Sequence, residues 1–479
     1  MNFIFFSSII VIYCLAIFTA AQALLHKKDS KSAFGWIAII FMLPIPGIIF
    51  YWLFGIARVD SRASLLMGKA AYKVLGGKKD LHTGFFVKDP QGFIDSKTLP
   101  VNIAKLSMPG QKISDHYVVG GNNVYPLYNG EEVYPKMLEA ISKATHRVYL
   151  STFIFGNDFV GTLFIKTINE AAIRGCEVKI LLDGIGSFFP IKSWREKLHP
   201  AIKLAYFLSP SLLPPKLSIN LRNHRKILVC DSNIAFTGGM NISQHHLVTL
   251  KKSNRVQDIH FYCAGPIAKQ LEIAFLLDWS FTTGETARIP FDPIKKQGST
   301  LCRLIIDGPG SPHETIHDLF CAMSSSAQKN IRIMSPYFLP TPQLSEALAS
   351  AVLRGVTVDI IIPLKNNHYL LQWAMAHQAP QLVDKNIHLF LQPPPFAHTK
   401  LLLIDNDYTL MGSANLDPRS LNLNFELVVE NFSTTLTNNL IEFFDKKKSQ
   451  SYQLTEHTKL PSLPIRLRNA ASWLFSPYL

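Results

Sequence analysis

Two long stretches without a charged residue open the chain, residues 3–25 and 32–57. A helix needs about 20 apolar residues to cross the roughly 30 Å hydrocarbon layer of a bilayer, and both runs reach that length. Only His26-Lys27-Lys28-Asp29-Ser30-Lys31 separates them, so residues 1–57 are predicted to form a two-helix transmembrane hairpin. Pro44 and Pro46 fall inside the second run and predict a kink there, since proline lacks the N–H and crowds the preceding turn. Ala21-Gln22-Ala23 has the small-residue spacing of a signal-peptide cleavage site. The run lacks a basic leading segment, however, and a second run follows at once, which favours a retained anchor.

Beyond the hairpin, residues 58–115 read as a basic, glycine-interrupted connector. Arg58, Arg62, Lys69, Lys73, Lys78 and Lys79 follow the second run, against three lysines in the hairpin loop. The positive-inside rule then places the rest of the chain in the cytoplasm. From about residue 116 the pattern repeats. Val148-Tyr-Leu-Ser-Thr-Phe-Ile-Phe155 matches Ile331-Arg-Ile-Met-Ser-Pro-Tyr-Phe338 as a buried strand. Each is followed by a helix that stops at Arg174-Gly175 or Arg354-Gly355, and then by an apolar strand, Val178 to Leu182 or Val358 to Ile362. Strand, helix and strand at this spacing predict a parallel, right-handed crossover. The fold expected is α/β: two tandem domains, 116–295 and 296–479, related by a pseudo-twofold axis.

Composition narrows the partners. The 479 residues are 48% hydrophobic with a formal net charge of +14, a combination that suits a membrane-attached protein with an anionic partner. The six cysteines form no C-x-x-C pair and sit in apolar surroundings, so they read as core residues in a reducing compartment. No Cys/His group has zinc spacing and no glycine-rich loop opens a helix, so neither a metal nor a cofactor is expected.

The repeat carries chemistry. Counting from His224, Lys226 lies at +2, Asp231 at +7, Gly238 at +14 and Asn241 at +17; from His398, Lys400, Asp405, Gly412 and Asn415 occupy the same offsets. At average residue usage His-x-Lys-x4-Asp recurs about once in ten thousand positions, so the pair is not coincidence. Each motif leads into a strand, and alternation puts His and Lys on one face. A phosphodiester gathers negative charge as a nucleophile adds, so it calls for fixed cations and amide donors. Lys226 and Lys400 supply the cations. Asn241 and Asn415 supply amides, and Ser413 is expected beside them in the substrate pocket. One imidazole can attack phosphorus while the other protonates the leaving alkoxide. A nucleophilic histidine needs a carboxylate to set its tautomer. Asp258 and Glu426, which follow His224 and His398 by 34 and 28 residues, are the candidates. Asp231 and Asp405 complete the motifs and are expected to hold a lysine or the turn into Gly238 and Gly412. His245, His246, His368 and His377 read as core or solvated histidines, Asp417-Pro-Arg419 as a turn or a phosphate-binding helix start, and Lys446-Lys447-Lys448 as a solvated face. The tail from Ile465 to Phe475 suits either a membrane surface or packing against the domain.

These residues resemble the phospholipase D superfamily, and most closely its bacterial cardiolipin synthase branch. The resemblance spans nearly the whole chain and is carried by Trp36, Pro44-x-x-Gly47, Phe236-Thr-Gly-Gly-Met-Asn241, Gly265-Pro266, Asp278-Trp279, Ser335-Pro-Tyr-Phe338, Gly412-Ser-Ala-Asn-Leu-Asp-Pro-Arg-Ser420, Asn424-x-Glu426 and Ser476-Pro477. It departs at Asn254-Arg-Val-Gln-Asp258, where the family often has tryptophan two residues before the aspartate. The resemblance implies phosphatidyl transfer between two phosphatidylglycerol molecules, giving cardiolipin and glycerol, at a bacterial inner membrane. The same residues would serve a membrane-bound hydrolase of phospholipid or nucleic acid. A nucleic-acid partner is disfavoured, because no aromatic pattern for stacking bases accompanies the basic residues. A non-enzymatic scaffold would have no need of two complete motifs.

Overall fold

The computed structural model describes residues 2–27, 30–52, 93–94, 98–114, 116–186, 196–208, 221–251, 254–286, 289, 293–308, 314–457 and 461–476. The basic residues from Arg58 to Lys79, on which the expected orientation of the hairpin rests, lie outside them. The chain divides into two compact units, Met1–Ala63 and Ser64–Leu479.

In the first unit a 25-residue helix, Asn2–His26, is followed by shorter helices at Ser30–Met42 and Pro44–Phe50. The expected kink is present as a break: Leu43 leaves helical geometry at φ −133° and ψ 73°, because Pro44 disfavours the α conformation in the residue before it. Among the described residues one helix, Phe6–His26, is long and apolar enough to span a bilayer, and Ser32–Met42 is a shorter apolar helix. The second uncharged run is therefore not one continuous helix: among the described residues it is broken at Leu43. The helices pack through Ala16, Ala23, Ile40 and Tyr51, and the Trp52 indole donates to Thr19 Oγ1 at 3.2 Å. Gly47 permits the tight turn, since a Cβ there would lie 2.6 Å from the Ile39 carbonyl oxygen.

The second unit is built on one mixed sheet. Its first half contributes β1 (Val119–Tyr128), β2 (Arg147–Thr152), β3 (Glu177–Asp183), β4 (Lys203–Phe207), β5 (Arg222–Asn223), β6 (Ile227–Cys230), β7 (Ile234–Gly238), β8 (Val256–Gln257) and β9 (Ile259–Ala264). The second half contributes β10 (Thr300–Asp307), β11 (Asn330–Met334), β12 (Thr357–Pro363), β13 (His388–Gln392), β14 (Phe396–Ala397), β15 (Leu401–Ile404), β16 (Tyr408–Gly412), β17 (Asn424–Asn431) and β18 (Tyr452–Leu454). Outward from the central β10–β1 pair the order is β17, β16, β15, β11, β12, β13, β18 on one side and β9, β7, β6, β2, β3, β4 on the other, with β5 paired to β17, while β8 and β14 form a separate two-stranded parallel sheet. Apart from the edge strand β18, one half repeats the other strand for strand, as the sequence repeat implies.

The parallel pairs fall where expected. β2 and β3 are joined through the helix Phe159–Ile173, and β11 and β12 through Pro342–Leu353. Gly175 and Gly355 end these helices at φ 92° and 87°, a conformation that only glycine adopts without strain. The helix Pro266–Thr283 is buried from Pro266 to Ser280. Its Leu271, Phe275 and Trp279 share one core with Leu304, Phe425 and Leu427 of the second half. That core joins both copies of the repeat beneath the central β10–β1 pair.

Candidate active site

Each motif is delivered to the other half of the sheet. β5, immediately before His224, pairs in parallel with the start of β17, Arg222 opposite Asn424 and Asn223 opposite Phe425. The His224 N–H then donates to the Phe425 carbonyl at 3.0 Å. Likewise β14 pairs in parallel with β8, and the His398 N–H donates to the Gln257 carbonyl at 2.9 Å. The residues that follow Phe425 and Gln257 are Glu426 and Asp258. Each histidine thus meets the carboxylate of the opposite copy: His224 Nδ1 lies 3.1 Å from Glu426 Oε1, and His398 Nδ1 lies 2.8 Å from Asp258 Oδ2. Sequence order assigns Asp258 to His224 and Glu426 to His398; the structure exchanges them, because the paired two-residue strands cross between the halves.

The carboxylates are held differently. Glu426 accepts hydrogen bonds from the Ser413 hydroxyl, from Ser420 at 2.7 Å and from the Asn424 amide at 3.2 Å. Burial alone would raise its pKa, but the His224 ring, Lys226 and the Ser413 hydroxyl outweigh that and hold it down at about 2. Asp258 receives the Ile259 N–H at 2.8 Å besides His398, and burial pushes it up to about 6 despite Lys400. The paired positions Gly239 and Ser413 account for part of the difference. A Cβ on Gly239 would lie within 2.5 Å of an Asp258 carboxylate oxygen, whereas Ser413 meets the longer Glu426 with a hydroxyl.

Lys226 and Lys400 run back along their own motifs, the ammonium groups donating to the carbonyls of His224 at 2.6 Å and His398 at 2.7 Å. Burial lowers Lys226 to about 7 and Lys400 to about 8. It also depresses both histidines, with Lys226 adding to the effect at His224 and Lys400, Lys226 and His224 adding to it at His398. These cross-influences place the two motifs in one electrostatic site. The rings keep 13% and 11% of their side-chain surface exposed, so the atoms a substrate would meet are imidazoles backed by buried cations. Phe153 and Tyr337, from equivalent loops after β2 and β11, pack edge-on against the histidines, with ring centroids 5.4 Å from that of His224 and 6.4 Å from that of His398.

The remaining candidates are distributed unevenly. Asn241 is buried with its Oδ1 accepting the Ile154 N–H at 3.1 Å, and Asn415 is buried with its Oδ1 lacking a hydrogen-bond partner among the described residues. Ser413 is fully buried against Glu426, so it supports the histidine's partner and does not line a substrate pocket. Asp231 and Asp405 are not in the site. They stand at the far ends of β6 and β15, where Asp231 accepts the N–H groups of Thr145, His146 and Arg147 and Asp405 those of Gln328, Lys329 and Asn330. The motif aspartates fasten the turns entering β2 and β11, not a lysine and not the turns into Gly238 and Gly412. Lys447 and Lys448 are bonded to Gln257 and Asp359, so that cluster is more than a solvated face. Asp417 caps the short helix Pro418–Asn422 by accepting the Ser420 N–H.

Sequence reasoning gave Ser420 and Asn424 no role and read His246 only as a core or solvated histidine. Ser420 and Asn424 were visible only as neighbours of Glu426. His246 lies five residues after Asn241, as Ser420 does after Asn415, and each receives its asparagine's N–H, at 3.3 and 2.9 Å. That shared offset was the available signal. His246 is buried, its ring is 6.5 Å from that of His398, and burial holds its pKa at about 3.

Residues 137–279 and 320–448 match the model described as the phospholipase D-like domain of cardiolipin synthase. The chain belongs to the cardiolipin synthase family of phospholipase D-like proteins. Residues 11–55 match the N-terminal model described for phospholipase D nucleases. Among cardiolipin synthase relatives, that of Geobacillus sp. (strain WCH70) is 30% identical over 476 residues, 98% of this chain and 93% of that protein. That of Listeria welshimeri is 29% identical, covering 98% of both. The fold also matches the crystal structure of phosphatidylserine synthase from Haemophilus influenzae Rd KW20, at TM-score 0.61 and 15% identity over 78% of this chain and 100% of that one.

Proposed function

We propose that the chain is a membrane-bound phosphatidyltransferase that makes cardiolipin from two phosphatidylglycerol molecules and releases glycerol, with His224 as nucleophile and His398 as acid and base. The observation that carries it is the pair of exchanged His–carboxylate contacts, unequal in acidity, within one site that holds two buried lysines. Glu426 stays ionised and keeps the His224 proton on Nδ1, which leaves the Nε2 lone pair to attack phosphorus. The P–O bond to the glycerol headgroup breaks as His398, whose protonated form is favoured once the negative phosphodiester lies beside it, gives its proton to the departing alkoxide. The same histidine then takes the proton of a second phosphatidylglycerol hydroxyl; its oxygen attacks phosphorus and the P–N bond breaks. One phosphodiester is exchanged for another, so no nucleotide is consumed. Asp258, with a pKa of about 6, suits the partner of a group that must gain and lose a proton. Lys226 and Lys400 offset the charge on the phosphoryl oxygens, and Asn241 and Asn415 are placed here as amide contacts to the lipid phosphate.

The first unit attaches the chain to the membrane. Its two apolar segments are proposed to be a multi-pass anchor, with the site on the cytoplasmic side, where the basic residues after the hairpin accumulate. Lipid hydroxyls are then concentrated at the site relative to water. The test is product analysis by lipid mass spectrometry of purified protein in phosphatidylglycerol vesicles. Cardiolipin with free glycerol is expected; phosphatidic acid alone would make the enzyme a hydrolase, and no product would overturn the reading.

A further inference from the structure

The C-terminal helix Leu463–Leu474 is inside out for a helix packed on a protein. The face it turns inward, against the helix Tyr369–Val383, carries the buried polar residues Asn469 and Ser472. Leu463, Leu467 and Leu474 recur at helical spacing on the outer face and, with Phe475, are 64%, 61%, 70% and 61% exposed. Residues 461–476 contain Arg466 and Arg468 and no acidic residue. Arg468 lies over the Trp373 ring at 4.2 Å, which keeps its charge at the edge of the apolar stripe. The supporting helix adds exposed Tyr369 and Leu370 at its start, beside exposed Lys365. That start adjoins the site: Asn367 Oδ1 accepts the Tyr337 hydroxyl at 2.8 Å, the His368 ring is 5.7 Å from Tyr337, and Tyr337 stands against His398.

We propose that the C-terminal helix and the start of the Tyr369–Val383 helix form one docking surface for an anionic bilayer, seated at the mouth of the site. The pattern is that of an interfacial helix, with leucines and aromatics on one side and arginines at the boundary where lipid phosphates lie. Charge selects the occupant. Two arginines and a lysine without opposing acids suit a surface dense in phosphodiesters, and a docked surface would present lipid headgroups beside His398. The inference rests on the proposed lipid chemistry for its purpose, but not for its binding.

The test uses the full chain in nanodiscs, with Cys14→Ser and a nitrobenzoxadiazole probe on Leu467→Cys. In phosphatidylglycerol discs the probe is expected to be quenched by doxyl groups on the lipid chains, and Arg466→Gln with Arg468→Gln to weaken that quenching. A probe that stays water-exposed in every lipid overturns the proposal, and so does shielding in detergent that tracks self-association. For the variant with Leu463, Leu467 and Leu474 changed to Gln, KM for bilayer phosphatidylglycerol is expected to rise about tenfold or more, while turnover of short-chain, monomeric phosphatidylglycerol stays unchanged. Equal losses on both substrates overturn the docking role. Quenching without any cardiolipin from the unaltered enzyme would instead refute the transferase reading and leave the docking surface standing.

Discussion

Glu426 sits 3.1 Å from the Nδ1 atom of His224, a residue 202 positions earlier in the chain, and its pKa of about 2 contrasts with about 6 for Asp258 beside His398. The inequality separates two histidines whose motifs are otherwise alike. A phosphatidyl ester of p-nitrophenol has a leaving group that needs no proton. His398→Ala is expected to release about one equivalent of nitrophenol in a burst and then stall, because the second step still requires a base. His224→Ala should show no burst, and the reverse result would swap the two roles.

The lysines predict a pH dependence. An ammonium group is present below its pKa, so in the empty enzyme Lys226 and Lys400 lose charge as pH rises through about 7 and about 8. The value of kcat/KM for phosphatidylglycerol should therefore decline between pH 7 and 9. Lys226→Arg keeps its charge throughout. Whatever its absolute rate, its falling limb should move to higher pH.

Gly239→Ala tests the positioning of Asp258. The new methyl group would have to displace a carboxylate oxygen from within 2.5 Å, and misplacing a catalytic contact by about 1 Å costs on the order of 10²-fold in rate. The loss should appear in kcat with the thermal midpoint little changed.

Asp405→Ala is expected to behave in the opposite way. Three N–H groups lose their acceptor, which should cost about 1–3 kcal/mol of stability. The kcat of the folded enzyme should stay close to normal, although the residue belongs to the motif. Thermal unfolding and active-site titration together separate the two effects.

Arg225 ties the two halves together beside the site. It pairs with Asp278 at 2.6 Å and donates to the carbonyls of Glu426 and Asp307. Arg225→Met leaves Asp278 buried without a counter-charge and should cost about 3–5 kcal/mol. Adding Asp278→Leu should restore much of that loss, as read from thermal midpoints in detergent.

The sequence made the repeat legible because strand and helix periods are local. Val148–Phe155, Ile331–Phe338 and the glycines after Arg174 and Arg354 announce their elements without reference to the rest of the fold. His224, Lys226, His398 and Lys400 were equally plain from their common offsets. The partner of each histidine was not. It depends on which strand the residues before the motif join, and β5 and β14 are only two residues long, too short to carry a periodic signal. Ser413 was misplaced for a related reason: an offset from Gly412 fixes its position along the strand but not which side chain it meets. Asp231 and Asp405 share a motif with the histidines, yet the strand between them carries the aspartate to its opposite end.

The paired strands β5–β17 and β14–β8 also limit what one copy of the repeat can be. Severed in the link between Thr283 and Thr300, each fragment would keep a histidine without its carboxylate and a carboxylate without its histidine. Neither fragment could then complete a histidine–carboxylate pair as a monomer, and mixing the two should restore activity with a second-order dependence on concentration. The intact chain is in this sense a dimer made permanent by its linker. Rejoining the halves in reverse order, with the anchor left at the front, should preserve the chemistry as long as the new linker reaches.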